Sequence, residues 1–242
     1  MSESNHADPT ARADEPVATL SRRQALAAAG LMATSAGAVT AQAKGADSDD
    51  SGRTVGIAPP PANAVEFHAR FVQTGASGED FIAYGYLTRV EGIADGDLYA
   101  AGSLHNETTA LFTAYAAGAL VRRTQDQGVH SLDVEGSMTI YQRAAPGASF
   151  VLPDSFRTGA TVARFEMSLQ DILTVILPGK GIPTLNGAMR QTLADRLAGP
   201  HASRRFGRVG TQARLLATGI GTLVDPVAPG SILQMAGNWT MV

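Results

Sequence analysis

The C-terminal residues TQARLLATGIGTLV (211–224) and SILQMAGNWTMV (231–242) alternate in polarity and are separated by DPVAPG (225–230). The residues that share one face are Ala213, Leu215, Ala217 and Leu223 in the first segment, and Leu233, Met235, Gly237 and Trp239 in the second. A two-residue period is typical of a half-buried β-strand, and proline in the connection is typical of a turn. These residues therefore predict a β-hairpin. Gly219 and Gly221, in line with the apolar face, predict a bend in it.

The chain between this hairpin and residue 63 repeats the same pattern. Further strands are predicted at 65–71, 81–90, 132–141, 161–177 and 182–193. Residues 108–124 fit either an Ala-rich helix or a strand, and the hairpin ending Asp126-Gln127-Gly128 favours the strand. Beyond Asp171 the run 172–177 is almost continuously apolar, which predicts a strand end covered on both faces.

These strands predict an all-β protein with a single antiparallel β-barrel of about eight long strands over residues 63–242. A β-sandwich is the alternative arrangement of the same strands. The barrel is favoured because an open sheet of this length would expose unpaired, adhesive edges.

Composition and charge exclude several classes of function. Of the 242 residues, 44% are hydrophobic and 17% are charged, and the formal net charge is −3. The clustered cations that a nucleic-acid partner requires are missing, since Arg122-Arg123 and Arg204-Arg205 are isolated pairs. We therefore expect no nucleic-acid partner. The chain has no cysteine, which excludes disulfides, thiol nucleophiles and Cys-bound metals.

The N-terminal residues have the pattern of an export signal. A polar region leads to Arg22-Arg23, a mildly apolar run 27–41 follows, and Ala41-Gln42-Ala43 fits a cleavage site. This order resembles a bacterial twin-arginine export signal, although Ala25 stands where Phe is common in that signal and Ala27 where Lys is common. It predicts a signal peptide over 1–43, a flexible linker over 44–62, and a periplasmic or extracellular location.

The N-terminal region allows one other interpretation. An amphipathic surface helix beginning at Ser21 is the alternative to an export signal. A stable membrane span is not expected, because the apolar run is shorter than the about 20 strongly apolar residues that a bilayer requires.

The strand pattern of this chain resembles that of a known group of barrels. The pattern consists of long strands, Gly-rich bends and the ending Gly237-Asn238-Trp239-Thr240. The pattern is similar to the barrel of allene oxide cyclases and dirigent proteins, over residues 63–242. The resemblance implies a cyclase or isomerase that acts on a lipophilic intermediate in an apolar cavity. It contains no catalytic motif, so it assigns no functional residue.

Residues with catalytic or metal-binding chemistry are scattered along the chain. His68, His105, His130 and His201 fall on different predicted elements, and no nucleophile elbow is present. Glu66 and His68 share a strand face, where a solvent-facing pair is a simpler interpretation than a zinc site. We therefore expect no metal and no cofactor.

Four residues are candidates for contact with a ligand: Tyr84, Tyr86, Asn238 and Trp239. Aromatic side chains with a polar group often line the mouths of barrels, and ordinary packing is the alternative. An eight-stranded barrel is just wide enough for packed side chains or one small ligand. We expect an exported barrel that binds a small apolar molecule or acts as an envelope or extracellular interaction module. The alternative is the cyclase or isomerase, and the sequence leaves the oligomeric state open.

Overall fold

The computed structural model describes residues 54–57, 63–74, 78–102, 104–225 and 230–242. The strands in this part are β1 (Thr54–Val55), β2 (Val65–Thr74), β3 (Asp80–Val90), β4 (Phe112–Asp126), β5 (Val129–Gln142), β6 (Ala160–Leu177), β7 (Lys180–Ala194), β8 (Arg205–Phe206), β9 (Gln212–Asp225) and β10 (Gly230–Met241). The helical segments are α1 (Asp95–Leu98) and two 3₁₀ turns, Pro153–Arg157 and Gly199–His201. The expected signal peptide, with Arg22, Arg23, Ala41 and Ala43, lies outside the described residues.

Eight of the strands close into one barrel in the order β10-β2-β3-β4-β5-β6-β7-β9. Every neighbouring pair is antiparallel. The prediction of a single antiparallel barrel of eight long strands is therefore confirmed, and so is the assignment of residues 112–124 to a strand. β1 and β8 form a separate two-stranded parallel sheet.

The two ends of the barrel differ in their connections. The hairpins β2–β3, β4–β5, β6–β7 and β9–β10 turn at one end, which we call the mouth. The longer connections 91–111, 143–159 and 195–211 lie at the other end, which we call the base. The long connections carry α1, both 3₁₀ turns and β8, so the base is covered by more chain than the mouth.

Local sequence explains the tight hairpins at the mouth. Gln127 and Gly128 both have positive φ, 41° and 85°, as the central residues of a type I′ turn require. In the β6–β7 hairpin, Gly179 has a φ of 72° and follows Pro178, which is the residue order of a type II turn. Glycine is favoured at Gly128 and Gly179 because a side chain disfavours positive φ.

The core lies inside the barrel, where the strands place every second side chain. Its buried members include Val65, Phe67, Leu87, Phe112, Ala116, Leu132, Val134, Met138, Ile140, Ala163, Phe165, Met167, Leu169, Leu185, Met189, Ala213, Leu215, Ala217, Leu233, Met235 and Trp239. The inward face predicted for β10 is confirmed. On the face predicted for β9, Ala213, Leu215 and Ala217 are buried. Leu223 is 42% exposed because it lies at the mouth.

Two sequence predictions need correction. The apolar end of β6 was expected to be covered on both faces, but Ile172, Ile176 and Leu177 are 41%, 54% and 62% exposed. No described element packs over the outer wall there, so this prediction was wrong. The expected linker 44–62 contains β1, whose Val55 is fully buried beside β8. The rest of the expected linker, residues 44–53 and 58–62, lies outside the described residues.

Candidate functional site

Three cavities follow one another along the inside of the barrel. The mouth chamber, about 170 Å³, is bordered by Lys180 and Leu233 among others. The neck void, about 30 Å³, shares Leu233 with the mouth chamber. The inner void, also about 30 Å³, shares Met167 and Leu169 with the neck void. Because their walls are shared, the cavities form one line from the mouth toward the base, which we call the bore.

The polarity of the bore changes with depth. The mouth chamber has a polar rim that includes His130, Lys180 and Ser231. The neck void is bordered by apolar residues and glycine, with Asp171 as its single acid. A molecule that moved from the mouth into the neck would therefore exchange a polar rim for an apolar wall with one carboxyl group.

Asp171 is placed in the neck by the alternation of β6. It follows Leu169 on the inward face and is 5% exposed. Its register neighbours are Leu132 on β5 and Leu185 on β7, both buried. Within the part of the chain that the structure describes, neither carboxylate oxygen of Asp171 has a hydrogen-bond partner.

Burial changes the acidity of this carboxyl group. Removal from water raises the pKa of Asp171 from its ordinary value of 3.8 to about 6, and a weak contact with the backbone N–H of Thr184 lowers it only in part. The group is therefore mostly ionised at neutral pH and mostly protonated at pH 5. It can accept a hydrogen bond in the first state and donate one in the second.

The base closes the far end of the bore with aromatic side chains. Trp239 is 1% exposed, and its ring centroid lies 6.0 Å from that of Phe67 and 5.9 Å from that of Phe165. Its Nε1 has no hydrogen-bond partner among the described residues. Phe206, from β8, is also buried and packs near Phe112. The β1–β8 sheet thus contributes to a packed base.

The predicted ligand contacts Tyr84 and Tyr86 lie on the opposite side of the wall from the bore. Strand alternation turns their rings outward, where the Tyr84 ring packs 5.4 Å from Phe156 and the Tyr86 ring packs 6.3 Å from Phe150. Both phenylalanines belong to the connection 143–159, which covers this outer wall. Both tyrosines border the inner void through their place on β3, but their rings serve packing.

The outer aromatic cluster also includes Tyr99, whose ring stacks on His105 with centroids 4.1 Å apart. Burial raises the pKa of Tyr99 to about 12 and also raises the pKa of Tyr86. Both phenols therefore stay protonated at neutral pH. The tyrosines of this cluster provide hydrogen-bond donors and apolar contact but no base.

The four predicted residues do not form one site. Asn238 faces outward on β10 and is half-buried, in register with Leu216. Trp239 borders the bore, while Tyr84 and Tyr86 direct their rings to the outer wall. Of the four candidates, only Trp239 thus directs its side chain into the bore.

The position of Asp171 in the sequence indicates its burial. Ala163, Phe165, Met167 and Leu169 alternate with polar residues and share one face, and the same two-residue period places position 171 on that face. An acid on the inward face of a barrel strand must be buried or must meet a partner. Extending the alternation by one step would have identified it.

Among the described residues, no group of three or more His, Asp or Glu side chains is arranged to hold a metal ion. None of the helices in the described ranges is long and apolar enough to cross a bilayer. Comparison with protein-family models, with curated proteins and with solved structures found no match. The similarity to allene oxide cyclases and dirigent proteins therefore stays a prediction from the strand pattern.

Proposed function

We propose that this protein binds a small, mostly apolar molecule in its bore, with the Asp171 carboxyl group as the polar anchor. One observation carries the proposal: a buried acid whose two oxygens have no hydrogen-bond partner among the described residues borders the neck void, which shares Leu233 with the surface chamber. Buried polar groups in native proteins are nearly always hydrogen-bonded. A bound molecule with a donor group would supply the partner that the chain does not.

The mouth chamber limits the size of the ligand. Its volume of about 170 Å³ is close to the about 150 Å³ of an apolar cavity that holds benzene. Leu173 and Val175 offer apolar contact there. The ligand that fits is a molecule about the size of a substituted benzene with one hydroxyl group, which an ionised Asp171 would accept as a hydrogen-bond donor.

Deeper entry requires side chains to move, because the neck and inner voids each hold about 30 Å³. Methionines border both voids: Met138 the inner, Met235 the neck, and Met167 both. Thioether side chains have three rotatable bonds and adapt to different shapes. Their displacement would let the apolar part of a ligand extend past Asp171.

Calorimetric titration of the full chain with p-cresol and with toluene tests this proposal, because the two probes differ by one hydroxyl group. The wild type should bind p-cresol about 10- to 100-fold more tightly than toluene, the range expected for a hydrogen bond to a charged group. Asp171→Leu should lose this preference. Glu135→Gln, which changes an exposed carboxylate on β5, should keep it.

Two results would overturn the proposal. One is a preference for p-cresol that survives in Asp171→Leu. The other is the failure of both probes to bind the wild type or to shift the NMR signals of the Met138, Met167 and Met235 methyl groups.

A cyclase or isomerase is the second candidate, and the pKa of Asp171 near 6 favours it, because such a group can exchange a proton near neutral pH. The two small voids leave room for a substrate only in the mouth chamber, so binding is the function supported best. Conversion of lipophilic molecules from a cell extract, lost in Asp171→Asn and detected by mass spectrometry, would favour catalysis instead.

Export to the periplasm or the cell exterior belongs to the same proposal. It is supported by Arg22-Arg23 and by Ala41-Gln42-Ala43 in the sequence. Expression in a bacterium should yield an exported protein cleaved after Ala43, and replacing both arginines with lysine should retain it in the cytoplasm. Export of the double variant at the wild-type level would exclude the twin-arginine pathway.

A further inference from the structure

The outer wall formed by β6, β7, β9 and β10 carries no charged side chain across its central part, all of which the structure describes. Its outward residues are Ile172, Thr174 and Ile176 on β6; Ile182, Thr184, Asn186 and Ala188 on β7; Leu216, Thr218, Ile220 and Thr222 on β9; and Ile232, Gln234, Ala236 and Asn238 on β10. We call this surface the uncharged wall. Leu216 and Ile220 are 54% and 62% exposed within it.

We infer that the uncharged wall is the contact surface for a second copy of this chain, related to the first by a two-fold axis. Exposed aliphatic side chains that cluster on one uncharged face of a folded domain are a feature of interaction sites. A partner that matches it must itself be uncharged, because a charge set against it would be buried without a counter-charge. The wall itself has this property, so two copies are complementary.

The rim of the wall has the composition of an interface rim. Toward the base, the outward positions become charged, with Glu166 on β6 paired to Arg190 on β7 at 2.7 Å. Arg214 on β9 lies in the same zone, in register with Ala188. A charge-depleted centre with a polar, charged rim is the usual arrangement of a protein–protein interface.

The size of the wall can be compared with that of a standard interface. Four strands about 4.8 Å apart and seven residues long at about 3.3 Å each give roughly 440 Å² of flat area, before side-chain relief is added. A standard interface buries about 800 Å² of accessible surface per partner. The uncharged wall alone thus supplies roughly half of this area, and a dimer contact would include the charged rim as well.

The rest of the molecule offers a contrast that supports this assignment. The outer wall of β3 is covered by the chain itself, because Phe150 and Phe156 from the connection 143–159 pack on Tyr84. No described segment covers the uncharged wall. A lipid surface fits it less well, since surfaces that bind lipid headgroups carry lysine, arginine and tryptophan, and this wall has none of them.

Sedimentation velocity of the full chain tests the inference. The wild type should be a dimer, and high salt should not dissociate it, because no charge pair lies at the centre of the contact. Ile220→Glu should weaken the dimer about 100-fold or more, the effect of burying a charge without a partner. Ala117→Glu, at an exposed outward position on β4, should leave the dimer unchanged, and circular dichroism should show the same fold in both variants.

Cross-linking locates the contact. The chain has no cysteine, so Thr218→Cys places one thiol at the centre of the wall, and Ala117→Cys places one outside it. A short bismaleimide that spans the about 10 Å between packed sheets should join two copies of Thr218→Cys and should not join two copies of Ala117→Cys.

Three results would overturn the inference: a monomeric wild type, a dimer that Ile220→Glu leaves intact, or a dimer that does not cross-link through Thr218→Cys. A monomer that floats with phospholipid vesicles and loses this property in Ile220→Glu would assign the wall to lipid. The bore plays no part in these measurements, so their outcome is independent of the ligand proposal.

Discussion

Asp171 lowers the stability of the barrel at neutral pH, because the buried carboxylate loses its solvation and the nearby backbone of Thr184 compensates for this loss only in part. Its register neighbours Leu132 and Leu185 show that an aliphatic residue would fit the same wall. A residue that lowers stability at a position where leucine would fit is expected mainly at a functional site.

The pH dependence of stability follows from the pKa of Asp171. The pKa is 3.8 for the unfolded chain and about 6 in the folded barrel. Between these values the folded state holds a proton that the unfolded state has lost, so the contribution of this group to the free energy of unfolding falls as pH rises through this range. The loss is complete above pH 6 and amounts to about 3 kcal/mol.

Asp171→Leu should therefore stabilise the protein by about 3 kcal/mol at pH 7.5, and the gain should shrink as the pH falls from about 6 to below 3.8, where Asp171 becomes neutral in both states. Denaturant unfolding of both proteins across this pH range measures the difference. The same variant should lose its preference for p-cresol while it gains stability, so the effects of Asp171 on binding and on stability can be measured separately. A stability difference that does not change with pH would contradict the raised pKa.

At the scale of the element, the strands were predictable because barrel strands carry their information locally. In β6, apolar and polar residues alternate, and this two-residue period separates the inward side chains from the outward ones. The inward residues are Phe165, Met167 and Leu169, and the outward residues are Arg164, Glu166 and Ser168. The turns were predictable for the same reason, since Gln127-Gly128 and Pro178-Gly179 determine their own geometry.

Which parts of the outer barrel surface are covered by other segments was not predictable in this way, because such covering depends on contacts between residues far apart in the chain. Tyr84 is buried only because Phe150 and Phe156, more than sixty positions later in the chain, fold over it. Ile176 is exposed because no such segment reaches β6. Alternation separates the two faces of a strand, but it does not show which outer face another segment will cover.

Gln191 on β7 joins the connection 195–211 to the barrel. Its side-chain NH₂ donates to the carbonyl oxygens of Leu193 and Phe206 at 2.8 and 2.7 Å, and its oxygen accepts from the Arg208 N–H at 3.1 Å. The residue is 2% exposed. An apolar replacement would leave these backbone groups buried without partners.

Gln191→Met should lower the free energy of unfolding by about 2–4 kcal/mol and accelerate amide hydrogen exchange at Phe206 and Arg208 ahead of the barrel strands. Gln212→Met, at an exposed position on β9, serves as the control and should change neither quantity. Equal acceleration of exchange in all strands of Gln191→Met would show that this side chain supports the whole barrel and not the base alone.

For the whole molecule, the barrel has different roles on its two surfaces. Inside, the bore runs from a surface chamber past Asp171 to a base closed by Trp239 and Phe206. Outside, charged rows, a covering segment and the uncharged wall occupy different parts of the circumference. Because β-strand side chains alternate between the two surfaces, an interior site and an exterior contact can be built on the same strands, as β6 shows with Asp171 inward and Ile172 outward.

If the cavities form one bore, removing the side chain that separates the two deeper ones should join them. Met167 borders both the neck void and the inner void. Met167→Ala should destabilise the protein by about 2–5 kcal/mol, as the loss of a large buried side chain does. It should also create an apolar cavity of the kind that binds benzene.

Saturating benzene should then raise the melting temperature of Met167→Ala more than that of the wild type, because a ligand that binds only the folded state stabilises it. Met241→Ala removes a methionine outside the residues that border the voids and should respond to benzene as the wild type does. The Met138 methyl signal should shift in Met167→Ala alone, since Met138 borders the inner void. An equal benzene effect in all three proteins would mean that the two voids remain separate and that the barrel beyond Asp171 is a packed core.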